Sequence, residues 1–316
     1  MLAFDARLEL FKKQFPHEKI KSVQERNGSG YQVLEINHTW ICKSAKTQEG
    51  IAALDKEVTL LKALQGKILT QIPEPVYYEE NFLVYKKIPG SPLISYAFFR
   101  YGNKQRSKLI CDLVDFLLQL HGALDQEKAE SLGLTKAKLP WSLEKLQENR
   151  HYLEEQQDLL SVFDNMMKMY EAALQQDFKA ALIHNNFSMN NVIVDSLTGQ
   201  LRGIIDFTQM AYDDRALDLC LRHNNAIEFS KAITFVYELL NKSQESSSKI
   251  YSYYFATEFS RYFQYRQEDN IELAQATMRR IIESLRSFLV KHDNCADETC
   301  QHTVNQVQKN EELLAA

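Results

Sequence analysis

The sequence predicts an α+β protein in two parts, a small antiparallel sheet followed by a larger, mainly helical portion. Three observations predict it: β-rich runs around an early glycine turn, apolar residues at helical spacing beyond residue 103, and one hairpin pattern set inside the helical portion. Residues 19–46 read as strands interrupted by Asn27-Gly28-Ser29-Gly30, with YQVLEI and TWICKSA as the strand-forming runs. In GIAALDKEVTLLKALQG, Ile51, Leu54, Val58 and Leu61 recur at helical spacing, and Gly66 stands where the helix would end. Prolines mark the next connection, and the apolar run Phe82 to Tyr85 stops at Pro89-Gly90. Leu109, Leu113, Phe116, Leu117 and Leu120 then repeat as one helix face, and residues 142–175 continue in helix-like segments. In ALIHNNFSMNNVIVDSLTGQLRGIIDF, two short apolar runs flank Thr198-Gly199 as a hairpin would. The helical pattern resumes from about Asp213 to Leu289, and the final residues are polar.

A chain of 316 residues with 45% hydrophobic and 25% charged residues is an ordinary globular protein with a sizeable core. Its net charge of -5 gives no general attraction to nucleic acid. The five cysteines, Cys42, Cys111, Cys220, Cys295 and Cys300, are odd in number, and the first three sit in apolar contexts, which favours a reducing compartment. His292, Cys295, Cys300 and His302 could be offered to a metal, but their spacing matches no common zinc pattern. The N-terminal MLAFDARLELFKKQF is interrupted by charges, so neither an export signal nor a membrane span is expected, and the expected location is cytoplasmic. In YSYYFATEFSRYFQYRQ, Tyr251, Phe255, Phe259 and Tyr262 form one helix face that reads as core. The other face, Tyr254, Glu258, Arg261 and Tyr265, could hold a cationic or sugar-like ligand.

The stretch HNNFSMNN, residues 184–191, places dense neutral hydrogen-bonding capacity between two apolar strands and contains no carboxylate. Followed by GIIDF and DDRALDL, it resembles the aminoglycoside phosphotransferase and choline kinase-like group. The motif of that group runs His-Gly-Asp-x-x-x-x-Asn, hairpin, Ile-Asp-Phe/Trp, Asp-Pro-x-x-Asp-Leu. The resemblance covers about residues 19–290 and rests on several loose motifs in the right order. It implies a two-lobed protein-kinase-like fold, with a nucleotide-binding lobe at 1–88, a helical lobe at 89–290 and a polar tail at 291–316.

Residue by residue, the resemblance implies that Lys43 contacts nucleotide phosphates and that Glu57 pairs with it. It makes Asn191 and Asp206 the ligands of Mg²⁺, a hard cation that takes oxygen donors. His184 matches the histidine that braces the loop, Asp218 a supporting carboxylate, and Asp214 the Asp of Asp-Pro, with Arg215 in place of proline. The segment around Tyr85 and Lys87 would hold the adenine edge. The Asn27-to-Gly30 turn, with Ser29 in it, would cover the phosphates, a plain hairpin turn being the equal alternative.

Asn186 is the departure, because it stands where the family has the Asp that accepts the substrate hydroxyl proton. An amide cannot act as that base, and general-base help is typically worth ~10²–10⁴ in rate. The sequence thus points to an ATP- and Mg²⁺-dependent phosphotransferase acting on a small-molecule hydroxyl and altered at its base position. A pseudokinase or nucleotide-binding scaffold that works through a protein partner is the second reading, and a nucleotidyl transferase the third.

Overall fold

The computed structural model describes residues 3–27, 30–79, 81–137, 141–154, 157–220, 227–241 and 247–292. Its first part is helix α1 (Phe4–Gln14), strands β1 (Val23–Asn27), β2 (Tyr31–Ile36) and β3 (Trp40–Ala45), helix α2 (Gln48–Leu64), and strands β4 (Pro75–Glu79) and β5 (Phe82–Lys86). The five strands form one antiparallel sheet in the order β1-β2-β3-β5-β4.

Side-chain alternation gives this sheet two different faces. Leu34, Ile36, Trp40, Cys42, Phe82 and Val84 form one buried face, capped by Phe11 of α1. This helix was not anticipated from the sequence, and Phe11 and Arg7 are its buried residues. On the opposite face, Leu83 packs against Leu54 and Val58 of α2, while Tyr31, Val33, Glu35, Ile41, Lys43 and Tyr85 look into a cleft. Helix α2 follows the expected spacing. Thr47 caps its start by accepting from the Gly50 amide at 3.1 Å, and Gly66, with φ +74°, lies just past its end.

The second part contains β6 (Ser91–Pro92), α3 (Ser95–Arg100), α4 (Asn103–Gly122), α5 (Gln126–Ser131), α6 (Leu143–Glu148) and α7 (Gln157–Leu174). Strands β7 (Ala180–Ile183), β8 (Val192–Val194), β9 (Leu201–Ile204) and β10 (Ala211–Asp214) follow, then α8 (Ala216–Leu219), α9 (Ile227–Asn241), α10 (Ser247–Gln267) and α11 (Ile271–His292). Leu109, Leu113, Phe116, Leu117 and Leu120 are all buried in the main core, as the periodicity of α4 requires. The expected hairpin is β8–β9, turning through Gly199 at φ +69°, with Asp195 Oδ1 accepting the Leu197 and Thr198 amides.

Two expectations are corrected. Asp213 and Asp214 do not open a helix; they end β10, which pairs with β7 in the register Ala211↔Ile183 to Asp214↔Ala180. The Tyr254 face of α10 is no open ligand face, because α10 lies between α7 and α11 and has no wide solvent side. Tyr254 bonds to Ser284 at 2.9 Å, and the buried Glu258 carboxylate is taken by Arg261 at 2.7 Å and Arg280 at 3.2 Å. Cys295, Cys300 and His302 lie outside the described residues, so the alternative metal cluster with His292 falls there too. Among the described residues, no group of three or more His, Cys, Asp or Glu is placed to hold a metal. No described helix is long and apolar enough to cross a membrane.

Lys87 to Gly90 carries the chain from the sheet to β6, which pairs with β8. Gly90 has φ +133°, and a Cβ there would lie 2.5 Å from the Val194 carbonyl oxygen and 2.9 Å from Ile193 Cγ2. Gly90→Ala is expected to destabilise the protein by ~2 kcal/mol or more, combining left-handed strain with a backbone clash. Urea denaturation of the two proteins checks this.

Candidate active site

The polar loop 184–191 joins β7 to β8 and is held from below by one buried carboxylate. Asp218 of α8 is fully buried; its Oδ2 accepts the His184 amide at 2.8 Å and its Oδ1 the Asn185 amide at 2.7 Å. His121 of α4 reaches the same Oδ2 through Nε2 at 3.2 Å, and a carboxylate only accepts, so Nε2 carries the proton. Burial works against the Asp218 charge, but His121 and the loop amides outweigh it and hold the carboxyl below its usual range. The His184 ring is equally fixed. Its Nε2 donates to the Ile205 carbonyl at 3.1 Å, leaving Nδ1 to accept the Asn186 amide at 3.3 Å. Burial pushes the pKa of His184 below the ordinary imidazole value, so the ring is neutral.

Two turns of this loop system need left-handed backbone. Asn185 has φ +59° and Asp206 has φ +67°. Asn and Asp tolerate that region better than other non-glycine residues. Asn185 also donates its side-chain amide to the Gln209 carbonyl at 3.0 Å.

Lys43, from the middle of β3, projects into the cleft and meets two carboxylates. Its Nζ lies 2.9 Å from Glu57 Oε2 on α2 and 3.2 Å from Asp206 Oδ1, which follows β9. Burial alone would favour the neutral amine, yet the Glu57 and Asp206 charges outweigh it and raise the Lys43 pKa above its ordinary value. Glu57 Oε1 also accepts the Phe207 amide at 3.1 Å, so one carboxylate holds both Lys43 and the backbone just after Asp206. Asp206 is held below its usual range: burial opposes ionisation, but the Lys43 charge and the Thr208 hydroxyl outweigh it.

Asn186 turns its amide NH₂ onto Asp206 Oδ2 at 2.7 Å, and its own backbone carbonyl accepts the Asn191 side-chain NH₂ at 2.8 Å. That bond engages the NH₂ of Asn191 and not its amide oxygen, which could ligate a cation. With the Asp206 carboxylate, this is a hard-oxygen pair lining the same cleft, a donor set that suits Mg²⁺ when substrate phosphates and waters complete the shell. The cleft has a volume of about 520 Å³, within the range of small-molecule sites. Lys43, Tyr85, Lys87, Asn191 and Asp206 all line it.

The sequence profile of the phosphotransferase enzyme family called APH matches residues 22–241, more than half of the chain. The chain belongs to this phosphotransferase family. Solved structures carry the same fold. A GDP complex of an aminoglycoside 2'-phosphotransferase-IIIa variant superposes with TM-score 0.74 at 21% identity, covering 87% of this chain and 95% of that one. The streptomycin–ATP ternary complex of APH(2")-IIa gives 0.61 at 19% identity, covering 88% and 97%. A macrolide 2'-phosphotransferase from Brachybacterium faecium gives 0.57 at 15% identity, covering 86% and 97%.

In this phosphotransferase-family chain, Lys43, Glu57, Asp206, Asn186, Asn191, His184 and Asp218 form one connected network. Tyr85 stands opposite Ile41 and Pro75 inside the sheet, and Lys87 pairs with the buried Glu35 at 2.8 Å. Ser29 lies outside the described residues. Sequence reasoning missed His121, Thr208 and Tyr31. Tyr31 alone carried a signal, since it stands two residues before Val33 on the same strand face.

Because the pKa of His184 is depressed on folding, its contribution to stability is fully present above the unfolded imidazole pKa of about 6.5 and is lost as pH falls below it. Each pH unit below that point costs up to ~1.4 kcal/mol until the folded pKa is reached. Urea unfolding between pH 7.5 and 5.5, without metal or nucleotide, should show a steeper loss for the wild type than for His184→Gln.

Proposed function

We propose that this protein is an ATP- and Mg²⁺-dependent phosphotransferase acting on a hydroxyl of a small molecule, with turnover slowed by Asn186. The observation that carries the reading is Lys43 joined to both Glu57 and Asp206 at the wall of an open cleft that Asn191 also lines. The related structures, with GDP or with ATP and streptomycin, support a nucleotide and a hydroxyl-bearing acceptor as the substrate classes. The division into lobes at residues 88 and 89, with a tail at 291–316, belongs to the same reading.

Each residue then has a task. Lys43 meets α- and β-phosphate oxygens as a fixed cation, and Glu57 keeps its flexible stem aimed. Asp206 and Asn191 hold Mg²⁺, which supplies charge neutralisation on the phosphates when bound. Tyr85 presents its side chain to the nucleoside, and Lys87 lies beside it. Ser29 and the early glycine turn would close over the phosphates. The backbone that meets the adenine edge shifts to Ile88–Gly90, because Tyr85 lies in the sheet and the Lys87 amide is bonded to Thr39 at 2.7 Å. Asp218 and His184 keep the loop in place, so Asn186 can orient the acceptor hydroxyl, whose proton would pass to an oxygen of the transferred phosphoryl group or to water. Positioning and electrostatics carry most of phosphoryl transfer, so the amide slows the reaction without abolishing it.

Incubation with Mg·ATP and a panel of polyols, amino alcohols, aminoglycosides and macrolides should give acceptor-dependent ADP release and a product heavier by one phosphoryl group. Asp206→Ala should abolish both. Asn186→Asp should raise kcat by ~10² or more at saturating Mg²⁺. Pyrophosphate release would point to nucleotidyl transfer instead.

A second reading, a nucleotide-binding scaffold, is favoured by the amide at position 186, whose NH₂ is turned onto Asp206 at 2.7 Å. In that case no acceptor yields ADP with either the wild type or the Asn186→Asp variant, and Asp206→Ala leaves partner binding intact.

A further inference from the structure

The Lys43 ammonium is enclosed by its own chain. Around it lie both Glu57 oxygens, Asp206 Oδ1 and the face of Tyr31, whose ring centroid is 4.5 Å from Nζ, and Tyr85 interacts with the same charge. The Lys43 side chain is only 8% exposed. Tyr31 opens β2 opposite Ala45, and alternation along the strand puts it on the cleft face with Val33 and Glu35. Across the cleft, the Thr208 hydroxyl donates to Asp206 Oδ1 at 3.0 Å.

We infer that Tyr31 gates the phosphate end of the cleft, its ring capping Lys43 until it moves aside for a phosphate oxygen. The inference rests on the nucleotide-binding reading above and concerns the polyphosphate portion of the ligand, not its base. An ammonium has three N–H directions. Glu57 and Asp206 take the carboxylate-facing ones, and the remaining side meets the aromatic face. A divalent ion can draw Asp206 away, but Glu57 stays to hold the lysine, so the incoming anion and the ring compete for that side. Apparent affinity falls by the fraction of molecules in which the ring has moved. One cation–π contact in a desolvated site weighs about tenfold in that equilibrium.

Calorimetry and stopped-flow binding of Mg·ATP, Mg·tripolyphosphate and adenosine to wild type, Tyr31→Ala, Tyr31→Leu and Tyr31→Phe test the gate. Both aliphatic variants should bind Mg·ATP and Mg·tripolyphosphate about tenfold more tightly through faster association, with adenosine changed less than twofold. Tyr31→Phe, which keeps the ring, should stay within about twofold of the wild type. If the wild type binds Mg·ATP and the folded aliphatic variants bind it equally or more weakly, the gate is refuted and the nucleotide reading stands. If no protein in the series binds Mg·ATP or Mg·tripolyphosphate, both are refuted.

Discussion

One ammonium shared between two carboxylates is the constraint around which this site is built. Lys43 and Glu57 are nearly dry and Asp206 is about one-third exposed, and burial pushes the Glu57 carboxyl up against the pull of Lys43, so the trio holds charge where water solvates it poorly. Buried charge is tolerated only when it is paired and hydrogen-bonded. The remaining charge on Asp206 is met by the Thr208 hydroxyl and by the Asn186 amide, both neutral donors. A carboxylate at position 186 could not donate that bond and would add a second uncompensated charge beside the first. The amide gives that carboxylate a neutral donor which a like charge could not supply. Because Glu57 also accepts the Phe207 amide, the same electrostatics fix where the chain turns after β9.

The richness of the 184–191 loop in asparagine resolves into three separate physical needs. Asn185 occupies a left-handed position where the family motif has glycine, and its short polar side chain tolerates that backbone while bonding to Gln209. Asn186 supplies a neutral donor next to Asp206. Asn191 ties its NH₂ to the Asn186 carbonyl and leaves an oxygen toward the cleft. Beneath all three, Asp218 gathers two consecutive loop amides and a histidine from α4. That buried carboxylate carries out for the loop what a helix cap does for a helix end, satisfying amides that no secondary structure can pair.

Much of the fold was legible because burial imposes its period on the chain. The α2 face of Leu54, Val58 and Leu61 and the α4 face from Leu109 to Leu120 are both set by which residues must leave water. The segment at 211–214 was not legible. Two aspartates side by side argue against a strand, yet β10 forms because Asp213 accepts the Ala137 amide and Asp214 is bound by Lys249 and Tyr253, partners supplied only by tertiary structure. For α10, the sequence showed two faces but not that α7 and α11 would cover both. The site was legible through motif order alone, since Lys43 and Asp206 stand 163 positions apart and no local pattern links them. His121 escaped notice for the same reason: a lone histidine on an apolar helix gives no hint of a carboxylate 97 residues later.

The amide at position 186 separates affinity from rate, which a carboxylate there would couple. At an effective dielectric of 20, two unit charges about 4 Å apart interact by ~4 kcal/mol. A second carboxylate beside Asp206 would therefore repel a polyphosphate by an amount of that order unless metal ions screened it. Replacing it with an amide relieves the repulsion in the ground state as well as in the transition state. Such relief strengthens binding but does not speed the chemical step, since only interactions that strengthen on the way to the transition state do so. An amide there cannot take a proton from an attacking hydroxyl. On the proposed phosphotransferase reading, the substitution would move a site of this geometry toward holding a nucleotide and away from turning it over, with Lys43, Glu57 and Asp206 serving the first task.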